Sequence, residues 1–255
     1  MKVDKFRTVI IYIIIILLGL VCLLPLLNIV AISFSSSAAV EGNMVGLIPV
    51  GFSTAAYEKI LEDSQFWHSF LISVERVVLT LIINFVLIVL MAYPLSKTNA
   101  QFRGRNIYAN LMIFAMLFNG GMIPTFLLVK SYGLLNTVWA LVLPGAVPIF
   151  NVILVMNFFA AVPKELEEAA FIDGANPLQV LTKIFIPISK PVLATVSLFS
   201  IVGSWNDFYS GLIYMSKAAY YPLMTYIQSL QINVEDLIKQ GNLSAVVDSA
   251  SLGNT

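Results

Sequence analysis

Cysteine and histidine each occur once in the 255 residues. Cys22 lies inside an apolar run, which excludes an internal disulfide and any cysteine-based metal site. His68 alone supplies neither a zinc cluster nor an evident base for a serine or cysteine nucleophile. Charged residues amount to 11%, and the 14 Lys and Arg balance the 14 Asp and Glu without a strong block of either sign, so nothing points to nucleic acid as a partner. No Gly-x-x-x-x-Gly-Lys-Ser/Thr phosphate loop occurs. Enzymatic chemistry within this chain is not expected, with no catalytic residue, no metal site and no cofactor of its own.

What is abundant is apolar: 59% of the chain, gathered in long blocks rather than in the alternating patterns of a soluble core. A bilayer core about 30 Å thick takes roughly 20 residues of helix. The blocks predict a polytopic membrane protein with spans at Thr8 to Ile32, Phe70 to Leu95, Ile107 to Val129, Thr137 to Phe159 and Pro187 to Met215. The first follows Lys2, Lys5 and Arg7 as a signal peptide would, but it exceeds an h-region of about 7–15 residues and is read as a retained helix. Pro124, Pro144 and Pro148 fall within spans three and four and predict kinks there, because proline frees a carbonyl that needs another partner.

Cytoplasmic loops carry the excess of Lys and Arg. An inside N-terminus places Lys2, Lys5, Arg7, Lys97, Arg103, Arg105, Lys164, Lys183 and Lys190 inside and Lys59, Lys130, Lys217 and Lys239 outside. Residues 33–69 then form an external loop, either a surface for an extracytoplasmic partner or a solvated connector with a short amphipathic helix around Ala55 to Leu61. Trp67 and Phe66 suit the interfacial aromatic belt. Glu75 and Arg76 read as an outer-interface pair with the arginine snorkelling.

Between the last two spans, residues 163–187 have legible local chemistry. Pro163 suits a first helical turn, and Glu165, Glu167 and Glu168 set negative charge at the positive end of the dipole. Gly174 can close that helix in the left-handed conformation, and Asn176 before Pro177 is an N-cap followed by proline at the first helical position. The segment therefore reads as a helix, a break at Gly174 to Asn176, and a second helix ending at Pro187. Leu166, Ala169, Ala170 and Asp173 share three- and four-residue spacings, which makes a face of small and apolar side chains beside the acidic one. Such a knob either docks in a partner's groove or lies on the membrane surface.

Glu168-Ala169-Ala170, three residues, Gly174, nine residues, then Ile184-Phe185-Ile186-Pro187 resembles the EAA loop of bacterial ABC importer permeases, departing at Ile186, where that family usually has leucine. The resemblance implies that Glu168, Ala169, Ala170, Asp173, Gly174 and Pro187 belong to a coupling helix seated in a separate ATPase subunit. It further implies ATP and Mg bound by that ATPase rather than here, two ATPase subunits, a second homologous permease, an extracytoplasmic solute-binding protein, and a place in the bacterial plasma membrane.

From about Phe70 onward the chain is similar to the carbohydrate-uptake branch of those permeases, the maltose-transporter type and its relatives for polysaccharide-derived oligosaccharides. The likeness rests on Gly120-Gly121-Met122-Ile123-Pro124-Thr125, Tyr132 to Thr137, Ser204-Trp205-Asn206-Asp207-Phe208 and Tyr221-Pro222-Leu223. A sugar path needs aromatic faces for pyranose rings and amide or carboxyl groups for hydroxyls. Asn119, Asn151, Trp205, Asn206, Asp207 and Tyr209 are the candidates, with Asn84 and Asn157 as further polar residues inside spans. Hydrogen bonding between helices is the competing use of each asparagine.

The expected fold is thus all-α, a helical permease of the type I importer kind: residues 1–32 as N-terminus and first span, 70–215 as permease core, and 216–255 as an external C-terminal segment. A sixth span is expected from the resemblance but not visible in the polar stretch carrying Glu235, Asp236 and Asp248, which reads as truncation. The expected function is uptake of an oligosaccharide by alternating access. A permease for a non-sugar solute and a non-transporting membrane scaffold are the alternatives.

Overall fold

The computed structural model describes residues 5–118 and 120–239 and, among them, is built from helices and turns. Asn119, Lys2, Asp248 and the end of the C-terminal segment lie outside the described residues. The chain divides into two compact units, residues 1–67 with 230–255 and residues 68–229.

In the first unit, α1 (Lys5–Ser33) contains a 26-residue apolar stretch from Thr8, with an 18-residue window of mean hydropathy 3.2. Its Ile, Leu and Val side chains are exposed on every side, and a helix that is apolar all round is suited to hydrocarbon, not to water. The following loop carries α2 (Ser37–Glu41) and α3 (Ala55–Glu62), the short helix expected around Ala55. Asn28 donates through Nδ2 to the Gly46 carbonyl at 2.7 Å, and Phe34 stacks on Phe52 and Tyr57 with centroids 5.7 and 5.0 Å apart, which folds the loop back on the end of α1.

The second unit is organised on α4 (Ser64–Ser96), a 33-residue helix with an 18-residue window of mean hydropathy 2.5. Its buried residues Ser69, Ser73, Arg76, Thr80, Asn84, Ile88, Ala92 and Leu95 recur at three- and four-residue steps, polar toward Ser64 and apolar toward Ser96. The apolar half packs with Val152, Val155 and Phe159 of α8 and with Val192 and Val196 of α12 into the main core.

Helices α5 (Arg105–Leu117) and α6 (Met122–Ser131) replace the continuous third span that the apolar run predicts. The helix stops because Phe118 is extended and Gly121 takes φ 86°, ψ 176°, a conformation open essentially to glycine alone. Pro124 consequently does not kink a helix but sits in the first turn of α6, where its missing N–H costs no hydrogen bond. The fourth span is bent by 47° between α7 (Val138–Val142), with its 3₁₀ turn Leu143–Gly145, and α8 (Ile149–Ala160), as Pro144 and Pro148 predict.

Next come α9 (Lys164–Ile172), α10 (Pro177–Val180), a π-turn Leu181–Phe185 and α11 (Ile186–Ile188). The second loop helix thus passes through Pro187 to Ile188 rather than ending at the proline. A bend of 84° at Ser189 then leads to α12 (Lys190–Asn206). The span expected to run unbroken from Pro187 to Met215 is therefore two changes of direction, since Ser189 leaves helical geometry before Pro191 and the backbone becomes extended at Asp207. Helices α13 (Tyr209–Tyr214) and α14 (Leu223–Lys239) complete the described chain.

Gly211 of α13 lets this end close up. A Cβ there would stand 2.1 Å from Thr225 Oγ1 and 2.8 Å from Thr225 Cβ. Thr225 is fully buried, and its hydroxyl donates to the Phe208 carbonyl at 2.9 Å, so it cannot step aside. Gly211→Ala is expected to destabilise by about 1–3 kcal/mol and to lower Tm in detergent. An unchanged Tm would contradict this packing.

Candidate functional site

The segment 163–187 folds by local rules. Glu165 and Glu167 occupy the first turn of α9, where negative charge favours the helix. Gly174 takes φ 81° just past the helix end, and the bonds Gly174 N–H to Phe171 O (3.1 Å) and Ala175 N–H to Ala170 O (2.9 Å) close it. Asn176 and Gln179 then satisfy each other's backbone N–H reciprocally, both at 2.9 Å, a capping box that starts α10 at Pro177.

On α9, Leu166, Glu168 and Ala169 face outward, as does Asp173 at its C-cap. Gly174 and Pro187 are also exposed, whereas Ala170 turns in against the main core. Behind α9 and α10 lies a hollow of about 510 Å³ bordered by Asp173, Gly174, Gln179 and Lys183.

Glu167 points the other way and is 8% exposed. Lys97, just past the end of α4, donates to its Oε2 at 2.7 Å, and the Tyr93 hydroxyl donates to Oε1 at 3.4 Å. The Lys97 ammonium stands 4.1 Å from the Tyr93 ring centroid and 4.3 Å from that of Phe185. Burial lowers its pKa from the ordinary lysine value, against the pull of the Glu167 carboxylate. Sequence reasoning assigned Lys97 to topology and Glu167 to the helix dipole. Seventy positions separate them, and no spacing rule joins them.

The path candidates divide. Asn151 and Asp207 line one cavity of about 280 Å³ together with Arg76, Thr80, Asn84 and Tyr214. Trp205, Asn206 and Tyr209 are not part of its lining: Trp205 meets Phe70 edge-on at 6.0 Å, Asn206 is exposed, and the Tyr209 hydroxyl lies 2.9 Å from Met122 Sδ. Asn157 is exposed as well.

Arg76 corrects the reading of a snorkelling interface pair with Glu75. It is 3% exposed, ion-paired through Nη2 with the Asp207 carboxylate and bonded through Nη1 to the Asp207 carbonyl at 2.8 Å, while Glu75 is exposed. The helix face decides this, because position 76 falls on the buried stripe of α4 and position 75 does not. The Ser210 N–H adds a bond to Asp207 Oδ1 at 3.1 Å.

Arg76→Met leaves Asp207 unpaired and is expected to cost about 1–3 kcal/mol, less than for a fully buried pair because the Asp207 side chain keeps 29% exposure. Arg76→Met with Asp207→Asn should recover part of the loss, read as Tm in detergent. A single variant as stable as the parent would remove the pair from any structural role.

With this geometry in hand, the chain can be set beside known proteins. Protein LplC of Bacillus subtilis (strain 168) is 42% identical over 214 residues, covering 84% of this chain and 72% of that protein. The polygalacturonan/rhamnogalacturonan transport system permease protein YtcP of the same organism is 39% identical over 241 residues, 94% of this chain and 83% of its own. A chain in the crystal structure of a bacterial ABC transporter involved in the import of the acidic polysaccharide alginate superposes with a TM-score of 0.83 at 31% identity, over 100% of this chain and 91% of that one. Residues 76–247 match the family model described as binding-protein-dependent transport system inner membrane component, and the chain belongs to that family.

Proposed function

We propose that the chain is one of two membrane subunits of an importer that carries an oligosaccharide into the cytoplasm by alternating access. The N-terminus and the 163–187 segment face the cytoplasm, ATP and Mg are held by a pair of separate ATPase subunits, and a solute-binding protein delivers the sugar on the outer side. Names of relatives support the cargo class, since YtcP is named for polygalacturonan and rhamnogalacturonan and the structural neighbour imports alginate.

The observation that carries the coupling is the division of labour on α9. Its exposed face, with Glu168 and Ala169, is available to an ATPase, and its opposite face delivers Glu167 to Lys97 at the end of α4. A displacement of α9 is passed through a charge-assisted bond of 2.7 Å to a 33-residue helix that reaches the other end of the unit. Gly174 and the Asn176 cap fix where α9 ends and hold it against α10.

The test is made in proteoliposomes holding the complete importer. Gly174→Ala imposes a left-handed φ on a residue with a Cβ, at about 1 kcal/mol, with open space around that Cβ. Uptake per ATP hydrolysed is expected to fall about tenfold for Gly174→Ala and for Glu168→Ala, a usual size for a coupling free energy. ATP hydrolysis continues and the subunits remain assembled. Wild-type stoichiometry in both variants would dismiss the segment as the coupling element.

Lys97→Met should uncouple in the same way, and Lys97→Arg should keep part of the coupling, because a guanidinium retains both the carboxylate bond and the stacking on Tyr93 and Phe185. Equal loss in the two variants would show that the charge is not what transmits the motion.

A further inference from the structure

Between Glu41 and Glu58, residues 42–57 carry no charged side chain, and the apolar residues among them are left outside the fold. Met44 is 70% exposed and Ile48 75%, with Leu47 and Phe52 exposed beside them. Exposed apolar surface of this kind marks contact with protein or with membrane. The backbone decides between the two, because it fixes how far the run descends along α1.

Asn28 serves as the ruler. With Thr8 at the inner boundary, it stands about 30 Å along α1, the thickness of a hydrocarbon core. The rest of the helix, to Ser33, then rises roughly 7.5 Å into the headgroup layer. The Asn28 amide donates to the Val45 carbonyl at 3.3 Å and to the Gly46 carbonyl at 2.7 Å, so the chain after α2 comes back down to that boundary. From there it climbs again. Ser36 N–H donates to the Val50 carbonyl at 3.1 Å, Val50 N–H to Ser35 Oγ at 3.0 Å, and Ser53 N–H to the Phe34 carbonyl at 3.0 Å. Gly51 takes φ 64°, and a Cβ there would stand 2.7 Å from Ser36 Oγ, so the climbing limb is held close to the end of α1. Met44, Leu47 and Ile48 thus flank the lowest point of a hairpin whose carbonyls there are satisfied by Asn28, as backbone bordering hydrocarbon requires.

A soluble partner would meet the loop above the headgroups, and a solvated connector would carry polar side chains at its tip. This tip is apolar, uncharged and low. It fits the boundary between headgroups and acyl chains, where interfacial segments bury their apolar side chains about 5–10 Å deep. We infer that residues 44–50 form an interfacial wedge, in which Met44, Leu47 and Ile48 insert into the outer leaflet and phospholipid is their partner. The outer side rests on the orientation proposed above, whereas the depth rests on α1 alone.

Cys22→Ser removes the one thiol of the chain, and a nitroxide is attached singly at Met44→Cys, Ile48→Cys or Glu62→Cys. These native side chains are all exposed, so the labels do not enter the core. The complete importer, its other subunits free of cysteine, is reconstituted in phosphatidylcholine vesicles. Relaxation of each label by oxygen, which concentrates in lipid, is compared with relaxation by a water-soluble nickel chelate. Oxygen is expected to exceed nickel at Met44 and Ile48, and the order is expected to reverse at Glu62. Nickel ahead of oxygen at all of these positions would overturn the wedge and return the loop to water. Protection from both reagents at Met44 and Ile48 would overturn it in favour of a protein cover, such as the second permease or the binding protein. Either result leaves the importer reading standing, since neither bears on transport. In right-side-out vesicles a membrane-impermeant maleimide is expected to label Glu62→Cys from outside. Labelling only after the vesicles are opened would overturn the outer leaflet together with the orientation proposed above.

Discussion

A long helix in a bilayer can bury polar side chains only along the stripe it turns toward protein, and α4 uses that stripe twice, at points about 30 Å apart. At one point Arg76 is ion-paired with Asp207, and just past the helix end Lys97 is ion-paired with Glu167. The apolar residues between, from Ile88 to Leu95, hold the helix against α8 and α12, so the two ion pairs are fixed to one stiff element. Everything else in the larger unit is arranged around that rod. The bend before α12 turns the chain out of the 163–187 segment, which stays packed on the main core through Ala170 and Val180, and the extended residue Asp207 brings its carboxylate back to α4.

This arrangement gives the proposed transport cycle a physical route. The exposed face of α9 and the polar cavity share no residue, yet the inner face of α9 carries Glu167, paired with Lys97 just past α4, and the cavity carries Asp207, paired with Arg76 of α4. In the proposed cycle, a shift of the Glu167 end would change how the other end meets Asp207 and the cavity wall, with α4 moving as a body. Coupling then needs no chain of small rearrangements along the bundle.

Which parts were legible in the sequence follows from the range of the forces involved. The break between α9 and α10 was readable because Gly174, Asn176 and Pro177 act on their immediate neighbours through φ, a cap and a missing N–H. The kink at Pro144 to Pro148 was readable for the same reason. The interruptions at Phe118 to Gly121 and at Ser189 were hidden inside apolar runs, where length and hydropathy carry the reading and one glycine or serine carries little weight. Within α9, the inward turn of Glu167 and Ala170 was not legible, since the acidic residues look alike until packing chooses the face. Arg76 and Asp207 stand 131 positions apart, and no local pattern announces that contact.

That separation has a consequence for how the protein is made. Helix α4 leaves the ribosome with Arg76 already in place, whereas its counter-charge follows 131 residues later, roughly 7–26 s at ordinary rates of synthesis. Throughout that interval the guanidinium needs water, and its place at the edge of the hydrocarbon core lets the long side chain reach the headgroups. Snorkelling thus belongs to the newborn chain and the ion pair to the finished one. The later-made α12 and the Asp207 that follows it are what allow the arginine to turn inward.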